Sequence, residues 1–161
     1  MNTTMDEIAA KHQALAVKAI ELGINISGVK HAEFASEETN CFTANVLLNG
    51  KKIAVVNNDG HGGCNLYHVT NQVTFDEVMN ILRGISDFEP LDAVICELLN
   101  RHLEDKQLRR WCRTKIVFRI KGDPKDQWRM IKAPYNEQVK QFIASKYGDT
   151  LEEVVNSRFA A

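Results

Sequence analysis

Residues 41–57 read Cys41-Phe42-Thr43-Ala44-Asn45-Val46-Leu47-Leu48-Asn49-Gly50-Lys51-Lys52-Ile53-Ala54-Val55-Val56-Asn57. Asn49-Gly50 is the strongest short-range hairpin signal, because both central residues of a tight two-residue turn take positive φ. Such a turn pairs Leu48 with Lys51, Val46 with Ile53, Ala44 with Val55 and Phe42 with Asn57, and paired residues share a face of the sheet. Phe42, Ala44, Val46, Ile53 and Val55 then form one apolar face. The turn chemistry and the apolar pattern agree, so the middle of the chain reads as antiparallel sheet.

Upstream, Thr4 and Glu7 are spaced as a capping box. Ile8, Leu15, Ala16, Ala19, Ile20 and Leu22 recur at helical spacing until Gly23, which predicts a helix over 5–22. Residues 29–35 read as a strand. Downstream, residues 57–63 (Asn-Asn-Asp-Gly-His-Gly-Gly) make a second turn, and 64–69 read as a returning strand. Thr74 and Glu77 form another capping box, opening a helix to about Leu82. Pro90 suits the first turn of a long helix reaching about Cys112, with Leu91, Val94, Ile95, Leu98, Leu99 and His102 as its buried stripe. A second hairpin follows: residues 115–121, a turn over 122–126, and 127–132. A helix from Tyr135 or Asn136 to Gly148 comes next. Thr150 and Glu153 are spaced to cap a last short one. Helices and strands are partly segregated, which predicts an α+β fold: antiparallel β-sheet built from hairpins, packed with one long and several short helices.

The chain has 161 residues, 44% hydrophobic and 25% charged, with 9 Gly and 3 Pro. This is the size and composition of a single globular domain, 1–161. No apolar run approaches the ~20 residues of a membrane span. The polar start, with Asp6 and Glu7, is not that of a signal peptide. The expected location is cytoplasmic, with Cys41, Cys64, Cys96 and Cys112 as thiols.

The net charge of -1 hides a segregation. Residues 1–100 hold 6 Lys/Arg against 13 Asp/Glu, a balance of −7, whereas residues 101–132 hold 11 against 4, a balance of +7. Charge asymmetry of this kind speaks about partners. Lys106, Arg109, Arg110 and Arg113 share a helix flank. In the second hairpin, a five-residue loop pairs Ile120 with Trp128 and Phe118 with Met130. That register sets Arg119 opposite Arg129, beside Lys115 and Lys121. Like charges opposed across strands repel, and an anionic partner would relieve the repulsion. The residues expected to meet nucleic acid or another anion are therefore Lys106, Arg110, Arg113, Lys115, Arg119, Lys121 and Arg129. Trp111 and Trp128 flank this segment and are expected as core anchors.

Other residues could carry chemistry. The loop Asp59, Gly60, His61, Gly62 and Gly63 has glycines whose amides could converge on an anion, although it lacks the Lys-Ser/Thr of a phosphate-binding loop. Glu37, Glu38, Asp59 and His61 are catalytic candidates if two loops meet at one end of the sheet, where carboxylates and a histidine could hold Mg²⁺ and activate water. His61, Cys64 and His68, with Cys41 nearby, are possible zinc ligands. No paired-cysteine knuckle exists, so the expectation is no metal and no cofactor.

Residues 36–44 (Ser-Glu-Glu-Thr-Asn-Cys-Phe-Thr-Ala), 49–52 (Asn-Gly-Lys-Lys) and 57–68 (Asn-Asn-Asp-Gly-His-Gly-Gly-Cys-Asn-Leu-Tyr-His) resemble a set of small uncharacterised proteins in bacterial and phage or prophage genomes. Residues 121–123 and 128–129 are similar to their C-terminal hairpin. The resemblance implies an intracellular accessory protein of bacterial or phage origin, and carries over no functional residue.

Three functional readings follow. The first, and the preferred one, is a non-enzymatic binder of an anionic partner, most simply nucleic acid, through residues 101–132. The second is a metal-dependent phosphodiesterase or nucleotide-processing enzyme centred on residues 37–68. The third is a protein-interaction module, including one that inhibits a host protein.

Overall fold

The computed structural model describes residues 4–160, and it is α+β. The chain divides into two compact units, residues 1–101 and 102–161.

The first unit opens with helix α1, Met5–Glu21, started by the expected capping box at Thr4 and Glu7. A four-stranded antiparallel sheet follows, in the order β1-β2-β3-β4: β1 is Ile24–His31, β2 Phe42–Leu48, β3 Lys51–Asn58 and β4 Leu66–Val69. Helix α2, Gln72–Arg83, comes next, and then α3, Pro90–Cys112, whose residues up to Arg101 belong to this unit.

Four expectations for this unit change. The first strand is Ile24–His31, not residues 29–35, and residues 33–35 form a single 3₁₀ turn. The strand starts early because Gly23, at φ +89°, turns the chain straight out of α1, and its carbonyl accepts the Asn49 amide at 2.9 Å. The hairpin turn lies at Asn49-Gly50 as expected, both with positive φ, and Leu48 pairs with Lys51. A bulge then leaves Ile53 as the extra residue, so Val46 meets Ala54, Ala44 meets Val56 and Phe42 meets Asn58. Ile53, Ala54 and Val56 are therefore buried and Val55 only half-buried. The carbonyl of Ile53 accepts the amides of Thr70 and Asn71. In α2 the cap is Asn71, whose side chain accepts the Thr74 amide at 3.2 Å, so the helix begins before Thr74. In α3, Leu91, Val94, Ile95, Leu98 and Leu99 are buried, but His102 is exposed. The apolar stripe does not continue past Leu99, and the next buried position on the helix is Leu108.

The second unit contains the end of α3, a three-stranded antiparallel sheet in the order β6-β5-β7, and two further helices. Strand β5 is Ile116–Ile120, β6 Arg129–Ile131, α4 Glu137–Tyr147, β7 Leu151–Val154 and α5 Asn156–Phe159. The expected last helix starting at Thr150 is instead β7, paired with the far edge of β5. The Thr150 hydroxyl donates to the carbonyl of Tyr147 and caps nothing ahead of it. The second hairpin also differs. Phe118 pairs with Arg129 and Val117 with Met130, one residue away from the expected register. The Asp123 carboxylate accepts the Ile120 amide and the Gln127 amide donates to Pro124, so two successive turns occupy residues 121–128 and leave Trp128 outside the ladder.

As the central strand, β5 is buried on both faces. Val117 packs with Leu108 and Val155, against which Trp111 and Trp128 lie half-buried, as the core anchors expected. Ile116 and Phe118 pack with Ile143 of α4. Asn156 is 3% exposed. Its Oδ1 accepts the Val117 amide at 2.8 Å, and its Nδ2 donates to the carbonyls of Lys115 at 2.8 Å and Cys112 at 3.3 Å. One side chain thus completes the backbone bonding where α3 ends and β5 begins. Each buried group left without a partner costs about 1–3 kcal/mol. Asn156→Ala is expected to lower unfolding free energy by about 2–4 kcal/mol, read as a shift in the urea midpoint at unchanged slope.

Candidate functional site

Two loops of the first unit, residues 36–41 and 58–65, are sewn together. The carbonyl of Gly60 accepts the amides of Glu37, Glu38 and Thr39 at 3.0, 2.9 and 3.3 Å. Asn58, 7% exposed, sits behind it. Its Oδ1 accepts from the Thr39 hydroxyl at 2.7 Å and the Gly60 amide at 3.0 Å, and its Nδ2 donates to the Gly63 carbonyl and the Asn65 side chain. Gly60 must be glycine. Its φ is +90°, and a Cβ would lie 2.0 Å from the Ala35 carbonyl oxygen.

This stitching brings some of the sequence candidates together. His61 Nδ1 lies 3.3 Å from Glu37 Oε2, and Asp59 Oδ1 accepts the His61 amide at 3.1 Å. The Glu38 carboxylate lies across Gly62, 2.5 Å from where a Cβ there would be. Glu37, Asp59 and His61 are exposed. The loop amides are turned inward, to Asn58 from Gly60, to Asp59 from His61 and to the Thr39 hydroxyl from Gly62, so these three do not converge on an anion.

The possible zinc set of His61, Cys64 and His68 is not assembled. His68 lies on β4 opposite Val55, and Cys64 Sγ turns to Glu89, donating to Oε1 at 3.1 Å. Among the described residues one other group of ligand-type atoms gathers within 4.8 Å: Cys64, Glu89 and Asp92. Asp92 accepts the Tyr67 hydroxyl at 2.5 Å on Oδ1 and the Asn65 amide at 3.0 Å on Oδ2. These groups line a cleft of about 360 Å³ together with Val69, Phe75, Met79 and Leu91. The hydrogen bond to the Glu89 carboxylate pushes the Cys64 thiol up from its ordinary range. Burial, and then the Asp92 carboxylate, push the Tyr67 hydroxyl far above the usual phenol range. Sequence reasoning missed Glu89 and Asp92, whose one signal was two acidic residues at the start of a helix.

In the second unit the basic candidates divide. Arg119 lies opposite Glu153, not Arg129. Its side chain is 14% exposed, its Nε is 3.5 Å from Glu152, and its Nη1 donates to the Lys125 carbonyl at 2.6 Å. Its guanidinium lies 4.2 Å above the Trp128 ring. Arg129 makes a two-pronged pair with Asp123, both bonds at 2.8 Å. That guanidinium holds the Asp123 carboxyl at about 2. The expected repulsion between Arg119 and Arg129 is therefore absent, because each has its own carboxylate. Lys115 is half-buried, with its Nζ 3.9 Å from the Met130 sulfur. Lys106, Arg110, Arg113 and Lys121 are exposed and make no ion pair among the described residues.

Comparison with protein-family models, curated proteins and solved structures finds no match. Among the described residues, no helix is long and apolar enough to cross a membrane.

Two expectations follow from this geometry. Gly60→Ala should destabilise the first unit by more than about 2 kcal/mol, combining a left-handed φ with a backbone clash. Gly63→Ala should cost only about 1–2 kcal/mol, because its Cβ would meet nothing and only the φ resists; urea titration of both variants checks the contrast. The second concerns acid. Asp123 has a folded value below its unfolded one, so its pairing with Arg129 stabilises above roughly pH 4 and is lost as pH falls towards about 2. The stability gap between wild type and Asp123→Asn should close across that window, read by thermal denaturation in a pH series.

Proposed function

We propose that the protein is a non-enzymatic binder of a polyanion, most simply nucleic acid, and that the exposed cations of the second unit make the contact. The observation that carries this reading is the stripe of Lys106 and Arg110 on α3 with Arg113 in the turn just after it, without acidic partners among the described residues, whereas Arg101 and Arg109 on the same helix are paired with Glu97 and Asp105. Lys121, at the hairpin turn, is another such cation. The charge balance supports it. Residues 1–101 carry 7 Lys/Arg against 13 Asp/Glu, and residues 102–161 carry 13 against 8, so the second unit holds all the excess of positive charge. Contacts of this kind neutralise phosphates without reading bases, and binding weakens as salt rises. Arg119 and Arg129 do not belong to the contact set, since burial and ion pairing already occupy them.

Fluorescence anisotropy with single- and double-stranded DNA and RNA, across a salt series, tests this. Lys106→Glu/Arg110→Glu/Arg113→Glu should lower affinity at least about tenfold at low salt and flatten the salt slope, while Lys11→Glu/Lys18→Glu, on α1, should not. Equal affinity of wild type and the triple variant would reject the reading.

The alternative, a phosphodiesterase or nucleotide-processing enzyme centred on residues 37–68, draws on one observation: Glu37, Asp59 and His61 share a single exposed loop cluster. Metal-dependent turnover of a nucleotide or phosphodiester, lost in both Asp59→Ala and His61→Ala, would favour it.

A further inference from the structure

We infer that Cys64, Glu89 and Asp92, in the lining of the cleft of the first unit, form a site for a thiophilic divalent cation, of which zinc is the natural example.

The donor set is mixed. Cys64 comes from the loop ahead of β4, Glu89 immediately precedes α3, and Asp92 lies in the first turn of that helix. Sγ and the two carboxylate oxygens lie within 4.8 Å of one another, with Sγ and Glu89 Oε1 at 3.1 Å. Zinc–sulfur and zinc–oxygen bonds of about 2.3 and 2.0 Å place tetrahedral donors roughly 3.3–3.5 Å apart. Side-chain rotations of about 1 Å therefore bring these donors to tetrahedral spacing. A thiolate with two carboxylates suits zinc, cobalt or cadmium better than magnesium, which takes oxygen ligands alone.

The surroundings fit the same cation. Neither Glu89 nor Asp92 is paired with a Lys, Arg or His among the described residues, so the charge of the group is not neutralised by the protein there. Asp92 is oriented by Tyr67 and the Asn65 amide, the outer partners that position a ligating carboxylate. The hydrogen that Cys64 now gives to Glu89 is the proton a cation would displace from sulfur. Three protein donors leave a fourth position, and the 360 Å³ cleft gives it room for water or a small ligand.

Cobalt(II) is the probe, because thiolate–cobalt bonding gives a charge-transfer absorption in the near ultraviolet. Titration of the full chain under reducing conditions should produce this band with one equivalent of cobalt, and zinc should abolish it. Cys64→Ser should remove the band, and Cys96→Ser should leave it intact. Glu89→Gln/Asp92→Asn should weaken cobalt at least about tenfold with an unchanged circular dichroism spectrum. No band in the wild type, or a band that survives Cys64→Ser, overturns the inference. Should the double carboxylate variant misfold, the contrast between Cys64→Ser and Cys96→Ser decides alone. The site lies in the first unit, so its failure leaves the polyanion reading untouched.

Discussion

The carboxamide of Asn58 is the point on which one end of the first unit depends. It takes a hydroxyl and an amide on its oxygen and gives both hydrogens away, to a carbonyl and to Asn65. A loop rich in glycine has no side chains of its own with which to hold a shape. Here the shape is set by one side chain that copies the bonding of a peptide group. Glu37 and His61 meet because Gly60 is pinned by Asn58 from one side and by three amides of the neighbouring loop from the other. The second unit repeats the device with Asn156, which bonds backbone groups of both α3 and β5. Among the described residues, Asn58 and Asn156 are the two buried polar side chains. Each costs little to bury because its bonds are made, and each leaves several groups unpaired if removed.

Legibility in the sequence followed how local each signal was. The caps at Thr4 and Asn136, the Asn49-Gly50 turn and the opening of α3 at Pro90 depend on neighbours within four residues, and they stand where the sequence put them. Both hairpin registers differ by one residue from the expected ones. The bulge at Ile53 adds a residue on β3, whereas the turns over residues 121–128 bring β6 one residue closer, and a period-two pattern shows neither. The four-residue strand β7 is too short for any period to declare itself. The group around Cys64 was out of reach for a different reason. Its carboxylates come from 25 and 28 positions later in the chain, and no local rule connects them.

The basic segment shows how formal charge misleads. Counted along the chain, residues 101–132 look uniformly cationic. In the fold, Arg119 and Arg129 serve as packing pieces, one stacked on Trp128 between two glutamates and the other locked to Asp123. Arg158 is likewise held by Glu153. The cations of this segment that make no ion pair among the described residues include Lys106 and Arg110 on the helix, and Arg113, Lys121, Lys125 and Lys132 beyond it. On the polyanion reading proposed above, such a stripe would act through long-range attraction, with little geometry to choose among partners.

The irregularity in β1 bears on what can be added to the sheet. Between Ser27 and Lys30 one extra residue interrupts the pairing with β2, and Gly28 there has φ +59°. β1 is one border of the four-stranded sheet, and β4, only four residues long, is the other. A bent, interrupted border carrying a lysine, and a stub opposite, both resist the docking of a further strand. The sheet is thus closed to growth by backbone pairing, which protects it from self-polymerisation. Recognition by this unit through an added strand is thereby disfavoured.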